Sequence, residues 1–274
     1  MLQPPPIILS FSANDSSGGA GIQADTLTLA SKGCHSLPVI TAITVQNTVG
    51  VHDVMPLDSR WVLDQARSVL EDITVQAFKI GMLGSVENIV AIAKILSEYP
   101  DIPVVLDPIL SSGRGDELAN EEMIAAICKL LLPQTTVVTP NSVEARRLVG
   151  NTGRSPDEQD LGRCSKKILN MGCKYVLVTG THENTHQVTN ILYTDSGVLR
   201  SDIWHRLAGS YHGSGCTLAA AIAANLANGM PVSEGVYEAQ EYTWQTLKNG
   251  FHPGMGQYLP DRLFWARNKG GHSK

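Results

Sequence analysis

Residues 77–107 read AFKIGMLGSVENIVAIAKILSEYPDIPVVLD. AFKI (77–80) and VVLD (104–107) are short apolar runs without polar alternation, the pattern of strands covered on both faces. Between them Ser85 opens a helix whose Ile89, Ile92, Ala93 and Leu96 fall on one face. A strand, a helix and a second covered strand make one right-handed crossover unit, and such units build parallel sheets.

The same rhythm extends in both directions. IILSF (7–11), PVITAITV (38–45), TVVT (136–139) and YVLVT (175–179) are further strand candidates. Asp58 precedes a helix with Val62, Ala66, Val69, Leu70 and Ile73 on one face, and Asn120 caps another, with Glu121 and Glu122 at its positive end. Ser155-Pro156-Asp157-Glu158 spells a capping box with proline at the first helical position, and Gly172 closes that helix. Ser233 is expected to cap a long last helix with Val236, Gln240, Thr243 and Leu247 on one side. QVTNILYT (187–194), Asp195-Ser196-Gly197 and VLRSDIW read as an antiparallel hairpin, and GVHDVM (50–55) as a short strand projecting from the sheet. The expected fold is α/β, a mostly parallel central sheet wrapped by helices with a small antiparallel hairpin. No linker or repeat divides it, so residues 1–274 are read as one domain with flexible tails at 1–6 and 268–274.

Composition narrows the function. Of 274 residues, 43% are hydrophobic and 17% charged, which excludes a disordered chain. The formal charge of −5 argues against a nucleic-acid partner, which would call for a basic face. No run approaches a membrane span, and MLQPPPIILSF has no basic leader region, so a soluble cytoplasmic protein is expected. The five cysteines, Cys34, Cys128, Cys164, Cys173 and Cys216, form no C-x-x-C pair, in keeping with a reducing compartment.

Open parallel sheets bind ligands beyond the carboxyl ends of their strands. The residues there are Ala13 to Gly21 with Gln23 and Asp25 behind them, then Gln46 and Asn47, Gly81 and Met82, Asp107, and Asn141 with Glu144. Gly213-Ser214-Gly215-Cys216 runs straight into the helix TLAAAIAANLANG. Its two glycines let backbone approach a ligand, and the free amides of a helix N-terminus make an anion site. A tight turn before a small-residue helix accounts for the same residues. The helix dipole predicts an unusually acidic Cys216 thiol, and burial would act in the opposite direction. GGAG (18–21) is either a phosphate loop or a close helix–strand contact. Neither loop matches G-x-x-x-x-G-K-[ST] or G-x-G-x-x-G. Asp107 with Asn141 and Glu144 makes a plausible site for hydrated Mg²⁺. His182-Glu183-Asn184-Thr185-His186 spells H-E-x-x-H, but zinc chemistry needs both histidines on one helix, and this segment is expected to be a strand connection.

SSGGAGIQAD (16–25), VITAITVQNT (39–48), KIGML (79–83), VVLDP (104–108), VVTPNSVEA (137–145) and HGSGCTLAAAIAA (212–224) occur here in order. Together they resemble the hydroxymethylpyrimidine/phosphomethylpyrimidine kinases of thiamine biosynthesis, within the ribokinase-like superfamily. The resemblance implies a three-layer α/β/α fold. It also implies transfer of the ATP γ-phosphoryl group to 4-amino-5-hydroxymethyl-2-methylpyrimidine, then to its monophosphate. It places Gln46, Asp25 and Gly21 at the aminopyrimidine, with Met82 on the ring. Gly213, Ser214 and Gly215 would form the anion hole, and Cys216 stands where most ribokinase-like enzymes carry an aspartate base. Asp107, Asn141, Glu144 and Thr179 fall to the nucleotide and its Mg²⁺, with Asp107 and Glu144 nearest the metal. A homodimer is implied as well. Two lysines usual in the family are missing, at Gly113 and in Val178-Thr179-Gly180-Thr181-His182. The alternatives are a pyridoxal or pyridoxine kinase and a non-catalytic pyrimidine sensor.

Overall fold

A computed structural model describes residues 4–112, 115–150, 160–183 and 185–267. Ile7–Ser12 (β1) lies between His35–Ile40 (β2) and Ala77–Ile80 (β5), parallel to both. Val104–Leu106 (β6), Val137–Val138 (β7) and Tyr175–Val178 (β8) continue the parallel sheet. Gln187–Thr194 (β9) and Gly197–His205 (β10) close it antiparallel, in the order β10-β9-β8-β7-β6-β5-β1-β2. The hairpin thus extends the main sheet. The strand order reverses at β1, and ligands of such sheets bind at the carboxyl edge of that switch.

Alternate residues of each strand feed two cores. Leu9, Phe11, Phe78, Ile80, Val104 and Leu106 face one side, packed by Ser59–Leu70 (α2), Val86–Ser97 (α3), Glu121–Ala126 (α4), Ser142–Leu148 (α5) and Leu161–Leu169 (α6). Ile8, Ala77, Val105, Val137 and Leu177 face the other, beneath Gly21–Ser31 (α1), Ser214–Ala227 (α7) and Val232–Lys248 (α8). The alanine run of α7 is buried from Ala219 to Ala224, so small side chains let this helix lie close on the sheet.

Asp58, Ser85 and Asn120 cap their helices as expected, each accepting a backbone N–H. Ser233 does not. Helix α8 starts two residues earlier, from Pro231, whose fixed φ of −56° suits the position and whose carbonyl accepts from Gly235 N. The capping box at 155–158 lies outside the described residues; Gly172, at φ 112°, follows α6, which Asp160 caps. The single strand expected over 38–45 is two. Thr41 breaks it, its hydroxyl donating to Met82 O, and Ala42–Gln46 (β3) leaves the main sheet to pair antiparallel with Val51–Pro56 (β4). This two-stranded sheet stands over the carboxyl edge of β1.

Candidate active site

The carboxyl edges of β1, β3, β5 and β6 and the start of α7 surround one cavity of about 530 Å³. Ala13, Asn14, Gly21, Gln46, Met82, Asp107, Asn141, Glu144, Thr179 and the loop Gly213 to Cys216 all reach its wall. The segments gathered from 200 residues of sequence therefore meet in one place.

Asp25 is the exception. It lies inside α1, completely buried, where Ser10 Oγ donates to it at 2.6 Å and Lys79 Nζ approaches to 2.8 Å. Lys79 and Ser10 fall on the strand face that packs against α1 and α7. Asp25 is thus committed to a buried ion pair behind the cavity, and the structure does not place it at the wall.

The opening loop is held by Asp15, which is fully buried. Its carboxylate accepts from Ser17 N, Ser17 Oγ and Ala20 N, and lies 2.8 Å from His212 Nε2. Burial opposes its ionisation, but the hydrogen bonds of His212 and Ser17 outweigh that and hold Asp15 down at about 2. The turn ends in Gly21 at φ 58°, where a Cβ would meet the carbonyl oxygen of Ala13 at 2.3 Å. On the other side Gln46 Nε2 donates to Thr44 Oγ1 at 2.7 Å. Met82, Ala13, Ala42 and Ile109 make an apolar patch. Ile109 holds φ at 32°, a strained value for a β-branched residue that sequence reasoning missed.

The second glycine loop does open a helix. Gly213 takes φ 84° and ψ 17°, and α7 begins at Ser214. The first amides of α7 have no acceptor within the helix, and Ser214, Gly215 and Cys216 line the cavity together with Asp107. A Cβ on Gly215 would sit 3.5 Å from Asp107 Oδ2. The Cys216 thiol is among the groups that act on Asp107. Burial pushes Asp107 up to about 7, resisted by the Lys79 ammonium and reinforced by Glu144. The acidic thiol expected from the helix dipole is not found. Burial pushes Cys216 up to about 12, and the Lys79 charge does not offset it. At neutral pH Cys216 is a thiol that borders a carboxylate.

Asn141 and Glu144 are also more engaged than their spacing suggests. They form the capping box of α5, Asn141 Oδ1 accepting from Val143 N and Glu144 N while Glu144 Oε2 accepts from Asn141 N. The other Glu144 oxygen accepts from Leu110 N at 3.1 Å. Burial raises the Glu144 pKa. Two buried carboxylates that both resist ionising suit a cation, and Mg²⁺ takes one or two carboxylates with water and phosphate oxygens. Backbone N–H groups leave further lone pairs on Glu144, so the pair fits.

Of the H-E-x-x-H segment, His182 lies in a turn beside the same cavity, and Asn184 lies outside the described residues. Arg206 donates to the carbonyl oxygens of Thr181, Glu183 and Thr185 at 2.8–2.9 Å. His182 lines the cavity and His186 is exposed, so the two rings do not share a helix face.

The model of the phosphomethylpyrimidine kinase family matches residues 15–261. A hydroxymethylpyrimidine/phosphomethylpyrimidine kinase of Streptomyces coelicolor is 40% identical over 256 residues, 92% of each chain. The crystal structure of phosphomethylpyrimidine kinase from Clostridium difficile superposes with a TM-score of 0.76 at 35% identity, covering 88% of this chain and 99% of that one. Pyridoxal kinase from Staphylococcus aureus, in complex with AMP-PCP and pyridoxal, gives 0.84 at 28% identity over 96% of both. Matched along nearly its whole described length, with both glycine loops and the carboxylates between them inside the match, the chain belongs to the phosphomethylpyrimidine kinase family.

Proposed function

We infer that the chain phosphorylates 4-amino-5-hydroxymethyl-2-methylpyrimidine from ATP, then phosphorylates the monophosphate, in thiamine biosynthesis. The observation that carries this reading is that one cavity joins an apolar, amide-bearing end (Met82, Ile109, Gln46) to an anion loop (Gly213 to Cys216) flanked by Asp107. A flat, polar-edged ring fits the first end, with Gln46 placed for the exocyclic amine and Met82 for the ring face.

Phosphoryl transfer through a loose transition state needs positioning and charge stabilisation more than covalent help. The amides of Ser214, Gly215 and Cys216 are aimed where negative charge gathers on the transferring group. The acceptor hydroxyl oxygen forms the new P–O bond, the bond from the γ-phosphorus to the β,γ-bridging oxygen breaks, and ADP leaves with that electron pair. The hydroxyl proton passes to the Cys216–Asp107 pair. With Cys216 raised and Asp107 near 7, the carboxylate is the better resting acceptor and the thiol relays to it. Glu144 would hold Mg²⁺, with Asp107 left free to take the proton, and the ion would supply charge neutralisation at the phosphates. Thr179, bridged to Asn141 at the end of β8, would border the nucleotide.

Two features bear on the wider reading. The β3–β4 sheet leaves Val45 and Met55 more than half exposed, which supports a homodimer. All five cysteines are free, which supports a cytoplasmic setting.

The test is ADP release from Mg-ATP with hydroxymethylpyrimidine, its monophosphate and pyridoxal offered separately. Turnover of both pyrimidines above pyridoxal is expected. Turnover of pyridoxal alone would move the protein to the second reading, which rests on the likeness to the Staphylococcus aureus enzyme. No turnover of any acceptor would favour a sensor.

A further inference from the structure

The two glycine loops touch behind the anion site. A Cβ on Gly213 would lie 1.8 Å from the carbonyl oxygen of Gly19, so the backbones are in direct contact. Thr217 Oγ1, one turn into α7, donates to Gly213 O at 2.8 Å. One side chain joins these parts. Arg262, just before Phe264–Arg267 (α9), donates from Nε to Thr217 Oγ1 at 3.1 Å and from Nη2 to Gly19 O at 2.5 Å, while Nη1 lies 3.5 Å from Gly18 O.

Arg262 is 4% exposed. Among the described residues, its hydrogen bonds go to carbonyl and hydroxyl oxygens, and it has no carboxylate within ion-pair distance; neighbouring Asp261 is paired with Arg267 instead. A guanidinium does not give up its proton, burial penalises its charge, and the carboxylates of Asp15 and Asp25 act on it only from beyond ion-pair distance. A loop clamp alone is satisfied by neutral donors. The charge is matched when an anion occupies the loop that Arg262 supports.

We propose that Arg262 is a positioning residue for phosphoryl transfer, tying the Gly18–Gly19 loop to the first turn of α7 and placing a fixed positive charge behind the anion loop. The inference rests on the kinase reading. Its electrostatic part acts where the transferring group gains charge, so it is felt more in the transition state than in ADP binding.

The experiment measures Mg-ADP affinity of the full chain with and without aluminium fluoride, a mimic of the transferring phosphoryl group, beside steady-state kinetics. Arg262→Met is expected to change Mg-ADP affinity less than about threefold and to lose at least about tenfold of the tightening caused by aluminium fluoride. Its kcat should fall about 100-fold with acceptor KM nearly unchanged. Arg262→Lys, which keeps charge without the fork, should recover part of both losses. If Arg262→Met does not fold, Arg262→Lys is set against Arg262→Gln, which is neutral and can still hydrogen-bond, and a larger loss of tightening in Arg262→Gln than in Arg262→Lys is expected. Undiminished tightening in Arg262→Met, or equal losses for ADP and its fluoride complex with a lowered Tm, would overturn the proposal; so would equal losses in the second pair. The fluoride measurement needs no acceptor, so failure of the wild type to turn over hydroxymethylpyrimidine would unseat the acceptor and not Arg262.

Discussion

Lys79 Nζ lies 2.8 Å from the Asp25 carboxylate, and neither side chain is reached by water. The pair sits between β5 and α1, directly behind the cavity wall, with Ser10 as the third partner. Breaking such a pair leaves one bare buried charge, whereas removing both partners together is often neutral or stabilising. Lys79→Met is therefore expected to cost about 3–5 kcal/mol in urea unfolding. Adding Asp25→Leu should return most of that. A double variant no more stable than Lys79→Met would show that the two charges are not coupled.

Cys216 gives a prediction opposite in sign to the one its helix position suggests. With the thiol pushed up to about 12, its alkylation by iodoacetamide should rise about tenfold per pH unit from pH 7 to 10, without a plateau. Mass spectrometry of the modified peptide reads this directly. A plateau near pH 7 would restore the dipole-activated thiolate. Cys216→Ser, which keeps a relay hydroxyl, should retain more kcat than Cys216→Ala.

The parallel strands were legible in the sequence because covered strands drop polar alternation, and five of the six candidates fold within about a residue of their expected bounds. The helix caps at Asp58, Ser85 and Asn120 were legible for a local reason, since one side chain bonds its own first turn. What escaped is tertiary. Nothing local marks Thr41 as the point where one apolar run becomes two strands in different sheets. Asp25 was placed at the pyrimidine by the family resemblance; the sequence signal for its buried pairing was Lys79, a lysine in a run otherwise fit for burial. The Cys216 environment turns on how deeply α7 is covered, which periodicity does not measure. Arg262 lies 45 residues beyond Thr217, in a segment without a recognisable motif.

Acid stability should report on Asp15. Its folded-state value of about 2 lies below its ordinary 3.8, so its contribution is fully present above about pH 4 and fades as pH falls towards 2. The shift corresponds to about 2 kcal/mol. Asp15→Asn should be less stable than wild type by roughly that amount at pH 7. The gap should narrow between pH 4 and pH 2, measured by urea unfolding at fixed pH. A gap independent of pH would mean that Asp15 works through hydrogen bonding alone.

Gly213 tests whether the anion loop itself carries the rate. At φ 84°, an alanine is strained by about 1 kcal/mol, and its methyl group would collide with Gly19 O, which lies 1.8 Å from the Cβ position. Neither atom is the end of a flexible side chain, so the two loops must separate. Separation moves the Ser214, Gly215 and Cys216 amides off the transferring group, and the loss of one such donor costs about 10²–10³ in kcat. Gly213→Ala should therefore fall by at least that factor in kcat, while pyrimidine affinity, set at the Gln46 and Met82 end of the cavity, stays within about threefold. Gly229→Ala is the control. It has a similar φ of 79° at the far end of α7 with open space around it, so it pays the same backbone strain and touches neither loop. It should lose stability and keep kcat. Equal kcat losses in the two variants would mean that strain in α7, and not the position of its first amides, limits the reaction.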